Sequence, residues 1–120
     1  MKDHTLVIGA SENPQRYSNL AIHRLLSHNI PVYAVGLKKG KVEGIEIQTG
    51  HPLFTDVDTV TLYVGPAHQS NLHDYILQLA PRRVIFNPGT EEINFESKLR
   101  QAGILVEEAC TLVLLGTGQY

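Results

Sequence analysis

The sequence has one cysteine, no tryptophan and a low aromatic content of 7%. Cys110 has no partner for an internal disulfide, which fits a reducing compartment and predicts a cytoplasmic protein. No apolar run approaches the roughly 20 residues of a membrane span. The first residues form a short strand pattern rather than a signal peptide. The absences therefore predict no membrane partner.

An excess of charge of either sign is also lacking. The 120 residues carry 10 Lys and Arg against 12 Asp and Glu, a formal net charge of −2. This balance gives no general attraction to nucleic acid or to an anionic membrane, so any basic site must be local. The length and the 42% hydrophobic content predict one soluble domain over residues 1–120.

Signatures of catalysis are equally scarce. No G-x-S-x-G elbow is present, so Ser11 is not an evident hydrolase nucleophile. None of the six histidines is spaced with cysteine or carboxylates as a metal site requires. Cys110 follows the last predicted strand, but no base is identified beside it, and a lone cysteine is more typical of a small buried side chain. The sequence thus favours a binding protein over an enzyme and predicts no metal site.

What the chain does have is an apolar run that ends at a glycine and leads through a polar loop into a helical pattern, over residues 5–19. The N–H groups of such a loop and of the first helical turn lack intrahelical acceptors, so they suit a nucleotide phosphate. Gly9 permits close approach of a ligand, Ser11 and Ser18 offer hydroxyls, and Arg16 offers a bidentate guanidinium. Because the later glycines of G-x-G-x-x-G are absent, an ordinary strand-to-helix turn remains the alternative.

Strand and helix patterns alternate along the whole chain. The order β-α-β, a short insertion and β-α-β-α-β predicts an α/β, Rossmann-like, doubly wound parallel sheet of about five strands with helices on both faces. The predicted strands are 6–8, 32–35, 59–64, 83–86 and 104–106, a helix is predicted over 67–79, and the predicted helix caps are Ser18 and either Gly89 or Thr90. Residues 42–47 are expected to form a short edge segment and residues 116–120 a loose tail. Loops after three strands, at Gly9, Gly65 and Asn87, should gather at the carboxyl edge of the sheet.

Three lysines follow the second predicted strand, in a segment that we call the lysine turn (residues 37–41). NAD-binding folds usually end this strand with an acid that holds a ribose diol, whereas here no acid precedes Glu43. Lysines in this place suit a phosphate on the ribose, or a diphosphate. A solvated basic turn is the alternative interpretation.

Taken together, these segments resemble the small CoA-binding domain family, a Rossmann-like module also seen as the N-terminal domain of the succinyl-CoA synthetase α subunit. The resemblance covers nearly the whole chain. It rests on residues 7–14 with Arg16-Tyr17-Ser18, on Lys38, on Val64-Gly65-Pro66, on Asn87-Pro88-Gly89-Thr90 and on Cys110. One departure is Gly36-Leu37, which stands where the family usually has an Asn-Pro pair.

The resemblance implies CoA or an acyl-CoA as the ligand, and it implies a role for each of its segments. The residues implied to hold the phosphates are Gly9, Ala10, Ser11 and Arg16, with Asn13, Tyr17 and Ser18 in the same motif. Lys38 is implied to meet the diphosphate or the 3′-phosphate. The residues implied to flank the adenine and ribose are Val64, Gly65 and Pro66. Those implied to line the route of the pantetheine arm are Asn87, Pro88 and Gly89.

Two other functions stay open at this point. One is an NADP- or NAD-binding redox or sensor protein of the same fold, for which the lysines favour NADP. The other is a CoA-binding subunit of an acyl-CoA ligase complex. A homodimer is also open, since the sequence indicates no interface.

Overall fold

A computed structural model describes residues 2–120, and its strands form one sheet. The strands are β1 (His4–Ile8), β2 (Val32–Val35), β3 (Gly40–Val42), β4 (Ile45–Gln48), β5 (Val57–Leu62), β6 (Arg83–Phe86) and β7 (Leu105–Glu108). Their order in the sheet is β3-β4-β2-β1-β5-β6-β7, and all neighbours are parallel except β3 and β4. The α/β class with a mostly parallel sheet is confirmed, whereas the predicted count of about five strands is too low.

The two additional strands come from the segment that follows the lysine turn. The alternation of residues 42–47 predicts a single edge segment, but the chain reverses inside it, at Glu43 and Gly44, whose φ angles are 48° and 82°. Two successive residues of positive φ make the type I′ turn, whose twist matches that of a hairpin. β3 and β4 are therefore an antiparallel hairpin, and β4 continues the sheet by pairing with β2.

The helices cover both faces of the sheet. They are α1 (Tyr17–Ser27), α2 (His73–Leu79), α3 (Ile93–Gln101) and α4 (Thr111–Gly116). Ile22 of α1 and Leu115 of α4 share a buried cluster with Val7 of β1. Leu99 of α3 packs in a second cluster with Leu6, whose side chain points to the other face of the same strand. Alternate residues of the central strand thus serve two cores. None of the helices among the described residues has the length and apolar character needed to cross a bilayer.

The first helix begins without the predicted cap. Ser18 lies inside the first turn of α1 and is buried, and Arg16 occupies the N-cap position with no side-chain hydrogen bond to the helix. At the other end, Asn29 has a φ of 59°, and the amides of Asn29 and Ile30 donate to carbonyls of the last turn. This left-handed stop agrees with the short polar residue ahead of Pro31.

The start of α3 also differs from expectation. Glu92, rather than Gly89 or Thr90, is the N-cap, because its carboxylate accepts the amides of Asn94 and Phe95 at 3.3 and 2.9 Å. Thr90 instead donates its hydroxyl to the carbonyl of Asn87, at 2.7 Å, and so stabilises the preceding loop.

The predicted helix over residues 67–79 is divided. Two 3₁₀ turns, Pro66–His68 and Ser70–Leu72, precede α2. Gln69 lies between the turns with its side chain fully buried, and its amide bonds to carbonyls of two other loops. These two bonds, one of them to a residue 21 positions away, hold Gln69 at the point where the predicted helix is interrupted.

The end of the chain is packed, so the expectation of a loose tail was wrong. The amides of Gln119 and Tyr120 both donate to the carbonyl of Leu114, at 2.8 and 3.1 Å. The Tyr120 hydroxyl is hydrogen-bonded to that of Thr5, and its ring lies 4.4 Å from the buried guanidinium of Arg83.

Candidate functional site

A cleft of about 750 Å³ lies where β1, β2 and β5 end. The chain leaves β1 to build β2 on one side and later returns to place β5 on the other, so the cleft lies at the switch point of the sheet. The predicted site residues that line it are Gly9, Ala10, Ser11, Asn13, Arg16, Lys38, Val64 and Gly65. Its lining also includes residues that the sequence did not single out: Glu12, Gly36, Tyr63, His51 and His68.

Gly9 meets two separate constraints at the bottom of the cleft. Its φ is +93°, and a Cβ at this position would lie 2.9 Å from the carbonyl oxygen of Tyr63. A side chain here would therefore be strained and would also clash with the backbone. Both constraints give a definite structural reason for a glycine at this position.

The segment that follows β1 is called the 9–16 loop, and its first two amides already donate hydrogen bonds within the protein. Gly9 and Ala10 both donate to the carbonyl of Val35, at 2.9 and 3.0 Å. This bifurcated contact ties the loop to the end of β2. Gly9 and Ala10 thus shape the cleft with their backbone, and their amides do not face an incoming anion.

Four other amides of the segment donate to no acceptor in the part of the chain that the structure describes. They are the amides of Ser11, Glu12, Tyr17 and Ser18. The Asn13 amide is used by the hydroxyl oxygen of Ser11, at 3.0 Å. Two unused donors thus lie in the cleft lining and two at the start of α1, where the helix dipole favours negative charge.

Asn19 supports the 9–16 loop from below. Its side chain is 3% exposed, and its Nδ2 donates to the carbonyl of Ser11 at 2.9 Å. Its Oδ1 is buried and has no partner among residues 2–120. An orphan acceptor of this kind is normally satisfied by water or ligand. The loop is thus held both by the buried amide of Asn19 and by Ala10, which packs in the same core cluster as Val7.

The lysine turn forms one wall of the cleft. Lys38 and Lys39 line it and are exposed, and Leu37 is 99% exposed between Gly36 and these lysines. A Cβ at Gly36 would lie 2.3 Å from the carbonyl oxygen of Ala10. Gly36 therefore lets the end of β2 pass directly beside the 9–16 loop, which brings the lysines to the same cleft as Arg16.

The opposite wall begins where β5 ends. The strand stops at Leu62, two residues before the predicted end, so Tyr63, Val64 and Gly65 form a loop against the cleft. Burial raises the pKa of the Tyr63 phenol to about 12, so this side chain is uncharged. Pro66 is exposed and opens the first 3₁₀ turn, outside the lining.

The loop after β6 lies next to this wall rather than in it. Asn87 is 1% exposed, and its Nδ2 donates to the Thr61 hydroxyl and the Leu62 carbonyl, at 2.7 and 2.9 Å. Its Oδ1 accepts the Thr111 amide at 2.9 Å, at the start of α4. Asn87 therefore joins β5, β6 and α4 through its side chain. Pro88 and Gly89 are exposed and do not line the cleft, although the Gly89 carbonyl lies 3.9 Å from the position of a Cβ on Gly65.

A side-chain pair that sequence reasoning missed, the buried Gln69 and the half-buried His73, connects these two loops. Gln69 donates from Nε2 to the carbonyls of Val64 and Thr90, at 2.9 and 2.8 Å. Its Oε1 must then be the acceptor from His73 Nε2, 3.0 Å away. Burial lowers the pKa of His73, so the neutral imidazole is favoured. No local sequence pattern marks Gln69 for this role, because its partners Val64 and Thr90 lie in two different loops.

Two further predictions concern side chains outside the cleft. Cys110 is half-buried at the N-cap of α4 and is not part of the cleft lining. At the amino end of β1, His4 Nδ1 lies 2.7 Å from Asp3 and 3.1 Å from Asp56. The three side chains offer ligand atoms within 4.8 Å of one another, so histidine and carboxylates do meet at metal-like spacing. The spacing of residues in the sequence could not reveal this cluster, because His4 and Asp56 are 52 positions apart.

The chain matches a family of known proteins over almost its full length. The model of the CoA binding domain family matches residues 3–116. A solved structure of an uncharacterized protein is 45% identical and covers 100% of this chain and 99% of its own, with a TM-score of 0.96. No curated protein gives a significant match.

Two more distant solved structures share the fold. One, from Thermus thermophilus, is 23% identical, with a TM-score of 0.86 over 99% of this chain and 91% of its own. The other, a hypothetical protein from Pyrococcus horikoshii, is also 23% identical, with a TM-score of 0.82 over 91% of this chain and 78% of its own. The family match over residues 3–116 is therefore what places the chain: it belongs to the CoA-binding domain family.

Proposed function

We propose that the protein binds CoA or an acyl-CoA in the cleft at the ends of β1, β2 and β5. The observation that carries the proposal is that unused amides, Arg16 and the lysine turn all meet in one cleft. Membership of the CoA-binding domain family supports the same ligand class.

The diphosphate is assigned to the 9–16 loop. The amides of Ser11 and Glu12 are the unused donors within the cleft, and those of Tyr17 and Ser18 follow at the start of α1. Arg16 adds a planar cation that can meet two phosphate oxygens at once. Backbone donors and a guanidinium together form the usual means of holding a pyrophosphate at the beginning of a helix.

The 3′-phosphate is assigned to the lysine turn, and first to Lys38. Lys38 and Lys39 are exposed cations on the wall that faces the 9–16 loop. The end of β2 itself offers no acid to hold a free ribose diol, because the first acid after β2 is Glu43, in the hairpin turn. The acid in the cleft lining, Glu12, accepts the amide of Lys41.

The remaining parts of the ligand are assigned to the opposite wall. The adenine and ribose are placed against Val64, Gly65 and Pro66. The pantetheine arm then continues over Asn87, Pro88 and Gly89. The closeness of the Gly89 carbonyl to Gly65 supports a continuous path between the two loops. The proposed role is binding alone, since none of these residues is assigned a proton transfer.

Calorimetric titration with CoA and with dephospho-CoA tests the proposal. We expect CoA to bind, and to bind about five- to tenfold more tightly than dephospho-CoA, as one additional lysine–phosphate contact would give. Lys38→Ala should remove most of this difference, whereas the control Lys98→Ala, on the distant helix α3, should not. No binding of either ligand at millimolar concentration would reject the proposal.

An NADP-binding role is the second candidate, favoured by the same lysines at the end of β2. Thermal shift with CoA, NADPH and NADH compared side by side separates the two. Stabilisation by NADPH alone would replace the CoA assignment, and stabilisation by CoA alone would remove the NADP assignment.

A further inference from the structure

Glu12 is a carboxylate in a cleft that otherwise suits an anion. Among the described residues that line the cleft it is the only acidic one, and it is exposed there. A negative charge close to bound phosphates opposes binding, so the residue needs another explanation. Its hydrogen bond provides one.

Glu12 holds the backbone of the lysine turn. Its Oε2 accepts the amide of Lys41 at 2.9 Å, across 29 positions of sequence. β3 is the outer strand of the sheet, and its closing pair with β4 is Val42 with Ile45. The N–H of Lys41 therefore points away from β4 and lacks a strand partner, and Glu12 satisfies this edge donor.

Gly40 makes room for this contact. A Cβ on Gly40 would lie 2.5 Å from the carboxyl carbon of Glu12 and 2.8 Å from its Oε2. The carboxylate therefore rests directly on the backbone of the turn. Lys38 and Lys39 lie immediately before this fixed point, between it and the end of β2.

We propose that Glu12 is a positioning residue that holds the lysine turn against the 9–16 loop and so makes the site select ligands that carry a 3′-phosphate. This inference rests on the proposed function, since it assigns the lysines to that phosphate. Glu12 acts in two opposite ways: its acceptor oxygen orders the lysines, and its charge opposes every phosphate.

The two actions are separated by substitution. Glu12→Gln keeps an acceptor for the Lys41 amide and removes the charge. Glu12→Ala removes both. Glu46→Ala is the matched control, because Glu46 faces Lys41 in the hairpin register and is exposed without a hydrogen bond to the 9–16 loop.

Affinities for CoA and dephospho-CoA are measured by calorimetry for the four proteins. For Glu12→Ala we expect CoA to bind up to about fivefold more weakly, because the lysines that meet the 3′-phosphate are no longer ordered, and we expect dephospho-CoA to bind unchanged or up to about twofold more tightly. Glu12→Gln should bind CoA at least as tightly as the wild type. Glu46→Ala should not weaken CoA.

Two results would overturn the inference. If Glu12→Ala bound both ligands more tightly, the charge of Glu12 would be its only effect on binding. If the variant lost affinity equally for both ligands, Glu12 would act on the 9–16 loop and not on the lysine turn. Amide exchange of Lys41 without ligand tests the contact separately, and we expect faster exchange in Glu12→Ala but not in Glu12→Gln. If the wild type bound no CoA while Lys41 behaved as expected, the proposed function and the ligand selection would fail, and only the contact would stand.

Discussion

Helices α1 and α3 both begin at the carboxyl edge of the sheet, but only α3 has its first amides satisfied by its own chain. The Glu92 carboxylate accepts hydrogen bonds from the amides of Asn94 and Phe95. The Glu96 carboxylate in turn accepts one from the amide of Glu92, at 3.1 Å. The protein therefore places its own negative charge where the helix dipole favours it.

α1 lacks such a cap. Arg16 at its N-cap supplies no acceptor, and the amides of Tyr17 and Ser18 have no partner among the described residues. A cation, rather than a carboxylate, lies at this helix start. Under the proposed function, a bound phosphate would supply the negative charge that the chain does not place at the start of α1.

The largest effect on stability is expected at Asn87, where the polar groups at the carboxyl edge of the sheet already have hydrogen-bond partners within the protein. Asn87→Ala should lower the free energy of unfolding by about 3 kcal/mol, because it removes three buried hydrogen bonds and leaves their partners unsatisfied. Urea unfolding measures this. Asn94→Ala, on the exposed surface of α3, is the control and should change stability by less than about 0.5 kcal/mol. An unchanged stability of Asn87→Ala would contradict the structural role assigned to the three bonds, whatever its effect on CoA affinity.

A smaller effect, on binding rather than stability, is expected at the open helix start. Arg16→Ala should weaken CoA about tenfold, or ~1.4 kcal/mol, because a bidentate phosphate contact is lost. Arg24→Ala, which removes the arginine of the last turn of the same helix, should leave affinity within about twofold. Calorimetry gives both values. Equal losses for the two variants would indicate a general effect of net charge, not a contact.

Removal of the α3 cap should cost about 1 kcal/mol of stability, the typical value for an N-cap. Glu92→Ala tests this by chemical unfolding, and Glu92→Gln, which keeps an acceptor, should retain part of the stability. Neither substitution should alter CoA affinity. If Glu92→Ala left the free energy of unfolding unchanged, the cap of α3 would not stabilise the protein, and the comparison of the two helix starts would fail.

The smallest effect is a pH dependence at Glu96. Burial, and then the neighbouring Glu108, raise the pKa of Glu96 above its usual 4.5. The folded state thus prefers the protonated form, so this stability is present below pH 4.5 and is lost as the pH rises through the folded-state pKa. Glu96→Gln should therefore be more stable than the wild type at pH 7, with the gain fading towards pH 4. Unfolding midpoints measured from pH 4 to 7 would contradict this if both proteins showed the same slope.

Much of the fold follows from local sequence signals. The continuous apolar runs locate β1 and β2 within two residues of their observed bounds. The hairpin was missed because its turn places Glu43 at positive φ, a conformation that non-glycine residues seldom adopt. The packed end at Tyr120 was missed because it depends on Thr5 and Arg83, far away in sequence.

The candidate site was predictable in composition but not in detail. Parallel strands end at one edge, so Gly9, Arg16 and Lys38 could be assigned to a common cleft. Which amides remain unused depends on the carbonyl of Val35, and the place of the lysine turn depends on Glu12. Both are contacts between segments remote in sequence, which residue patterns do not encode locally.

The unused amides of the 9–16 loop and of the start of α1 can be followed individually by NMR during a titration with CoA. We expect large chemical-shift changes and slower exchange for the amides of Ser11, Glu12, Tyr17 and Ser18. We expect no comparable change for residues 92–95 at the start of α3. Saturable CoA binding that left the four α1-side amides unchanged, or that shifted the α3 amides instead, would contradict the proposed phosphate site.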